Sequence, residues 1–156
     1  MSTRYFKRAI EAIVDSSFYS TYIVLPNQDT ALSLIIHSNP KFYPFLEDCI
    51  GVIDCTHVPA AVPAEAASRY RDRSGNLTHN HLAACSFDML FLYILGGWEG
   101  SVGDGRVFLD ARQSNFSIPQ DKYYLADGGF ASCNTLLVPY CNVRYHLKEF
   151  LRGRDR

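Results

Sequence analysis

The chain has little of what marks the easily assigned classes. No apolar run reaches the ~20 residues that a membrane-spanning helix requires, and the first residues lack the apolar core of a signal peptide. A soluble intracellular protein, in the nucleus or the cytoplasm, is the expectation. Positive charge is not in excess either: Lys and Arg total 15 against 16 Asp and Glu, so any surface for nucleic acid must be local. The five cysteines, Cys49, Cys55, Cys85, Cys133 and Cys141, are odd in number and scattered. They form neither a CxxC pair nor a secreted disulfide framework, which points to a reducing compartment. What remains is 156 residues with 47% hydrophobic content, enough to bury one core in one domain.

The most informative stretch is Cys49-Ile50-Gly51-Val52-Ile53-Asp54-Cys55-Thr56-His57-Val58-Pro59. An apolar, β-branched run leads into an aspartate, and a polar segment ends at proline, which reads as a buried strand delivering one acid to a sheet edge. Alone, Asp54 reads equally as a surface turn or an Asx cap. A second stretch of the same form, Tyr123-Tyr124-Leu125-Ala126-Asp127-Gly128-Gly129-Phe130, turns one acid into a pair.

In chain order, Phe6, Ala9, Ile10, Ile13 and Phe18 recur at mostly helical spacing with Arg4, Lys7, Arg8 and Glu11 between them. This predicts an amphipathic helix over 4–19, covering a core or touching a DNA backbone. Prolines 26, 40 and 44 then interrupt the chain around an apolar run, 31–36, that predicts a second helix, so 1–45 reads as a helical arm. Arg69-Tyr70-Arg71-Asp72-Arg73 precedes the turn Ser74-Gly75-Asn76. It reads either as a phosphate-holding loop built on Arg69, Tyr70, Arg71 and Arg73 or as a solvated charged loop.

Runs 82–87 and 90–95 predict a hairpin across Asp88-Met89, and Gly96-Gly97 breaks the pattern. Asp104 opens a helix, where an acid is also an ordinary N-terminal residue. Beyond the Asp127 strand, a short helix over 133–137 and a last strand over 143–147 complete an α/β layout with a mixed sheet. His79, His81 and Cys85 fall on one strand face and superficially suggest zinc, without an evident fourth ligand. His57 reads as a partner of Asp54, a general base, or a packed histidine. Trp98, Tyr123 and Tyr124 read as core aromatics. If the first and fourth strands are neighbours, Asp54 and Asp127 lie side by side with Asp104 near. Such a cluster suits Mg2+ or Mn2+ and metal-assisted hydrolysis of a phosphodiester.

These motifs, from Gly51-Val52-Ile53-Asp54-Cys55-Thr56-His57 through Asp104-Gly105-Arg106-Val107 to Val143-Arg144-Tyr145-His146-Leu147-Lys148-Glu149-Phe150, resemble the catalytic domain of PIF/Harbinger-type transposases and the nucleases derived from them. The resemblance runs from about residue 40 onward. It implies an RNase H-like fold over 46–156, a DDE-type divalent-metal site, DNA as substrate, and help from a separate Myb-like DNA-binding protein, with oligomers compatible. It makes Asp54, Asp104 and Asp127 the metal-binding, catalytic acids. Two departures stand out: Cys55 replaces the glycine of an Asp-Gly-Thr-His motif, and Gly103 and Gly105 flank Asp104 where the family has His-Asp-Ser-Arg. The family's final glutamate lies on a helix beyond the segment holding Glu149, which implies a domain without its last helix. A catalytically inactive fragment that binds DNA or a protein is the alternative reading.

Overall fold

The computed structural model describes residues 2–140 of the chain. The arm holds three helices: α1 (Ser2–Ile13), α2 (Ser16–Tyr22) and α3 (Leu34–His37). The single helix expected over 4–19 is two. Asp15 breaks it by accepting the Ser17 N–H at 2.9 Å and so capping α2, since a short acidic side chain competes with the helical ladder at that point. The apolar stripe of α1, with Phe6, Ile10 and Ile13, is exposed among the described residues rather than laid on the core. The second helix is shorter and later than expected, because Ser33 caps it at Ile35.

Five strands follow: β1 (Cys49–Pro59), β2 (Thr78–Cys85), β3 (Phe91–Glu99), β4 (Tyr123–Leu125) and β5 (Leu136–Leu137). The helical turn α4 (Ala67–Tyr70) lies between β1 and β2, and α5 (Asp104–Ser114) between β3 and β4. The sheet order is β3-β2-β1-β4-β5. β2 pairs antiparallel with both β1 and β3, while β1–β4 and β4–β5 are parallel. Two parallel neighbours reached through crossovers, beside an antiparallel hairpin, make the mixed α/β sheet that the sequence predicts.

Alternation decides what each face does. Along β2, Thr78, Asn80, Leu82 and Ala84 are buried while the residues between them are half-buried, the two-residue period of a strand covered on one side. On β1 the buried set is Cys49, Gly51 and Ile53. Ile53, Leu82 and Ala84, with Tyr93, Val107, Phe108, Ala111, Phe116, Tyr124, Phe130 and Leu136, form the core that α5 closes. Tyr124 is wholly buried, as expected of a core aromatic; Trp98 is half-buried and donates its indole N–H to Asp110 at 3.1 Å. Tyr123 is half-buried and donates its hydroxyl to the Phe45 carbonyl at 3.2 Å.

Three further sequence expectations are corrected. Gly96-Gly97 does not end the hairpin. β3 runs through them to Glu99, because a side chain at 96 would collide with the His81 ring and Gly97 takes a left-handed φ of +95°. The helix expected over 133–137 is instead the strand β5, whose Leu136 is buried against β4 through the Tyr124–Leu136 pairing. Burial and a free parallel edge outweigh a local pattern too short to carry a period. Asp54 is also not a strand-terminal residue, since β1 continues to Pro59 along β2. The last strand expected, 143–147, and Glu149 lie outside the described residues.

Candidate active site

β1 brings the first acid. Asp54 pairs with Ala83 of the antiparallel neighbour β2 and is exposed, and its Oδ1 accepts the N–H of Cys55 at 2.8 Å. On the other side of β1 the last parallel pair is Val52–Leu125. Continuing that register by two residues brings positions 54 and 127 alongside each other, just where β4 has ended. Asp127 is exposed too, and its Oδ1 accepts the Gly129 N–H at 2.9 Å, so a tight Asx turn holds the carboxylate.

Asp104 arrives from a different element, the first turn of α5, which begins after Gly103. The helix dipole favours an acid there. Its Oδ1 accepts from Asn80 Nδ2 at 3.2 Å, and the same amide donates to the Val102 carbonyl at 2.9 Å. Asn80 is completely buried on the core face of β2. A buried amide carries a desolvation cost unless its donors are used, so these two bonds tie the start of α5 to the sheet and hold Asp104 in place.

Asp104 and Asp127 meet at Gly129. A Cβ built there would stand 2.6 Å from Asp104 Oδ2 and 3.1 Å from Asp127 Oδ1; the glycine leaves a gap between two carboxylates that any side chain would fill. Cys55 lies within the influence of all three acids. Burial pushes its thiol well above the ordinary range, and the charge of Asp104, a hydrogen bond with Asp104, and the charges of Asp54 and Asp127 push it further. Among the described residues no group of three His, Cys, Asp or Glu side chains stands close enough to hold a metal ion. Asp54, Asp104 and Asp127 each offer carboxylate oxygen, the donor type that hard divalent cations take.

Beside Asp104 a cleft of about 370 Å³ opens towards the turn after α4, lined by His57, Arg71, Asp72, Arg73, Ser74 and Asp104 among others. The four residues of the expected phosphate loop divide here. Arg69 pairs with Glu99 at 3.2 Å, and Tyr70 sets its ring edge-on to His79 at 5.0 Å, so both are engaged against the sheet. Arg71 lines the cleft while donating to the Gly75 carbonyl at 2.8 Å, and Arg73 lines it without an ion pair among the described residues. His57 shares a 2.8 Å hydrogen bond, Nδ1 to Thr78 Oγ1. His79 and His81 do share a face, with ring centroids 6.2 Å apart, but Cys85 is four residues further along β2.

Sequence reasoning missed Asn80 and Gly129. Asn80 carries a signal, a polar residue in phase with Leu82 and Ala84 on the buried face. Gly129 carries one only as part of the glycine turn after Asp127.

A mixed sheet ordered β3-β2-β1-β4-β5, with acids on β1, beyond β4 and at the helix after the hairpin, is an RNase H-like arrangement. The family described as DDE superfamily endonuclease matches residues 53–155. The chain belongs to that family, in agreement with its likeness to PIF/Harbinger-type catalytic domains. It is 29% identical over 113 residues to "Protein ALP1-like" of Arabidopsis thaliana, an alignment covering 61% of this chain and 28% of that relative. The chain thus spans less than a third of the length of the curated relative it matches. No solved structure matches it. No helix among the described residues is long and apolar enough to cross a membrane.

Proposed function

We propose that this domain hydrolyses DNA phosphodiesters at a divalent-metal site formed by Asp54, Asp104 and Asp127. The carrying observation is that Asp104 Oδ2 and Asp127 Oδ1 flank Gly129, 2.6 and 3.1 Å from a Cβ built there, just past the end of the strand next to the one that carries Asp54. Carboxylates brought this close repel unless a cation neutralises them. Mg2+ or Mn2+ bound there would activate a water and neutralise charge at the scissile phosphate. The chain's own contribution is placement. Asn80 fixes Asp104, the Gly129 N–H fixes Asp127, and Gly129 keeps the space between them open. With DNA as substrate, we place the protein in the nucleus, or in the cytoplasm before import. A separate Myb-like protein would supply sequence choice, and assembly into an oligomer is compatible with this.

The test is nicking of supercoiled plasmid by the full chain in Mn2+. The proposal predicts nicking that a chelator abolishes and that falls by about 100-fold or more in Asp54→Asn and Asp127→Asn, as removal of a group acting on transition-state charge typically does. Equal nicking by the variants would contradict it. The second reading, a catalytically inactive module that binds DNA or a protein, draws on the absence of a three-ligand group among the described residues. It predicts that no metal restores cleavage.

A further inference from the structure

We propose that the cleft between the Arg71–Ser74 turn and Asp104 seats a DNA backbone phosphate next to the one that is cut; this rests on the nuclease reading above. Its wall is a built surface rather than a loose loop. Arg71 bridges to Leu77, Asp72 N–H donates to the Asn76 carbonyl at 2.9 Å, and Gly75 N–H donates to the Asp72 carbonyl at 3.0 Å. The floor is clamped as well: Ser101 N–H donates to the Arg69 carbonyl at 3.1 Å, and a Cβ at Gly100 would stand 2.5 Å from the Tyr70 carbonyl oxygen and 2.6 Å from that of Thr78. Only glycine permits that approach.

The lining chemistry is that of a phosphate seat. Arg73 makes no ion pair among the described residues and Arg71 has one of its two terminal nitrogens bonded to Gly75, and guanidinium groups bind phosphate oxygens through paired N–H donors. Ser74 and Ser101 add exposed hydroxyls at the same cleft. His57 is engaged through Nδ1, so Nε2 is the ring nitrogen left for a ligand. Asp72 opposes an anion here, and its carboxylate is held back within the turn, accepting the N–H groups of Ser74 and Asn76 at 2.9 Å and Asn76 Nδ2 at 3.4 Å, so the seat falls to the arginines.

The cleft is polarised as a consequence. Arg71, Arg73 and Asp104 line the same cleft, so a strand that crosses it sets one phosphate on the arginines with its neighbour towards the acids. Such contacts are made to backbone, not bases, and carry no sequence preference.

The test is anisotropy of a fluorescein-labelled random-sequence DNA duplex with the full chain in chelator, between about 50 and 200 mM salt. Arg73→Ala is expected to weaken binding equally for unrelated sequences and to lower the slope of log affinity against log salt by about one unit. His57→Gln should weaken binding at every salt concentration. Lys41→Ala, an exposed cation off the cleft, should match the parent. Undetectable binding by the parent, an unchanged slope in Arg73→Ala and Arg73→Glu, or an effect confined to an RNA duplex would each overturn the proposal. Because chelator prevents cleavage, a slope change in a protein that never nicks DNA would support the seat while removing the nuclease reading.

Discussion

The two faces of one sheet behave as different materials. On the face towards α5, Ile53, Leu82, Ala84 and Tyr124 are buried almost completely. On the opposite face the same strands show Val52, Val58 and Ile94 at 38%, 46% and 39% exposure, with Asp54 among them. Because side chains alternate strictly along a strand, burial on one face fixes the register for both. The core therefore determines where an exposed acid stands. Asp54 takes part in little packing of its own, yet its position alongside the point where the chain leaves β4 towards Asp127 is set because Ile53 and Tyr124 are locked in the core beside it.

That comparison can be broken most severely from the buried side. Leu82→Ala should cost about 2–5 kcal/mol, the usual range for a fully buried leucine, whereas Val52→Ala on the open face should cost less than about 1 kcal/mol. Urea denaturation of both variants measures the contrast, and similar losses would mean that the open face is covered.

Asn80→Ala is next. Removing the amide leaves the Val102 carbonyl and Asp104 without their donor, for about 1–3 kcal/mol. The same measurement would find a near-neutral change if the buried amide did not carry those bonds.

Gly129→Ala should have the smallest effect on stability, because the atom in its way is the end of the Asp104 side chain. It should nevertheless displace that carboxylate. Nicking should fall up to about 100-fold while the urea midpoint changes little, since a displacement near 1 Å at a reacting centre is enough for that. A normal nicking rate would remove Asp104 from the site.

Much of this was legible in the residues. The runs around Ile53 and Leu125 each end in an aspartate, and those strands are neighbours, as pairing of the acids required. Asp104 was legible as a helix start. What could not be read depends on contacts distant in sequence. Gly96-Gly97 reads as a breaker until the His81 ring is seen to occupy the space a side chain would need. Leu136-Leu137 is too short to show a period, and only the edge of β4 makes it a strand. The arm splits at Asp15 because one side-chain hydrogen bond competes with a continuous apolar pattern. In the arginine loop, sequence spacing gave the charge but not its direction. Glu99, thirty residues on, and His79 on the next strand take Arg69 and Tyr70 away from the cleft.

The central claim is that Asp54, Asp104 and Asp127 act as one charge centre. Calorimetric titration of the full chain with Mn2+, beside Asp54→Asn and Asp127→Asn variants matched for folding by circular dichroism, tests it most directly. The account predicts binding by the parent that is lost in both variants. Binding retained in either one, or none in a folded parent, would contradict it.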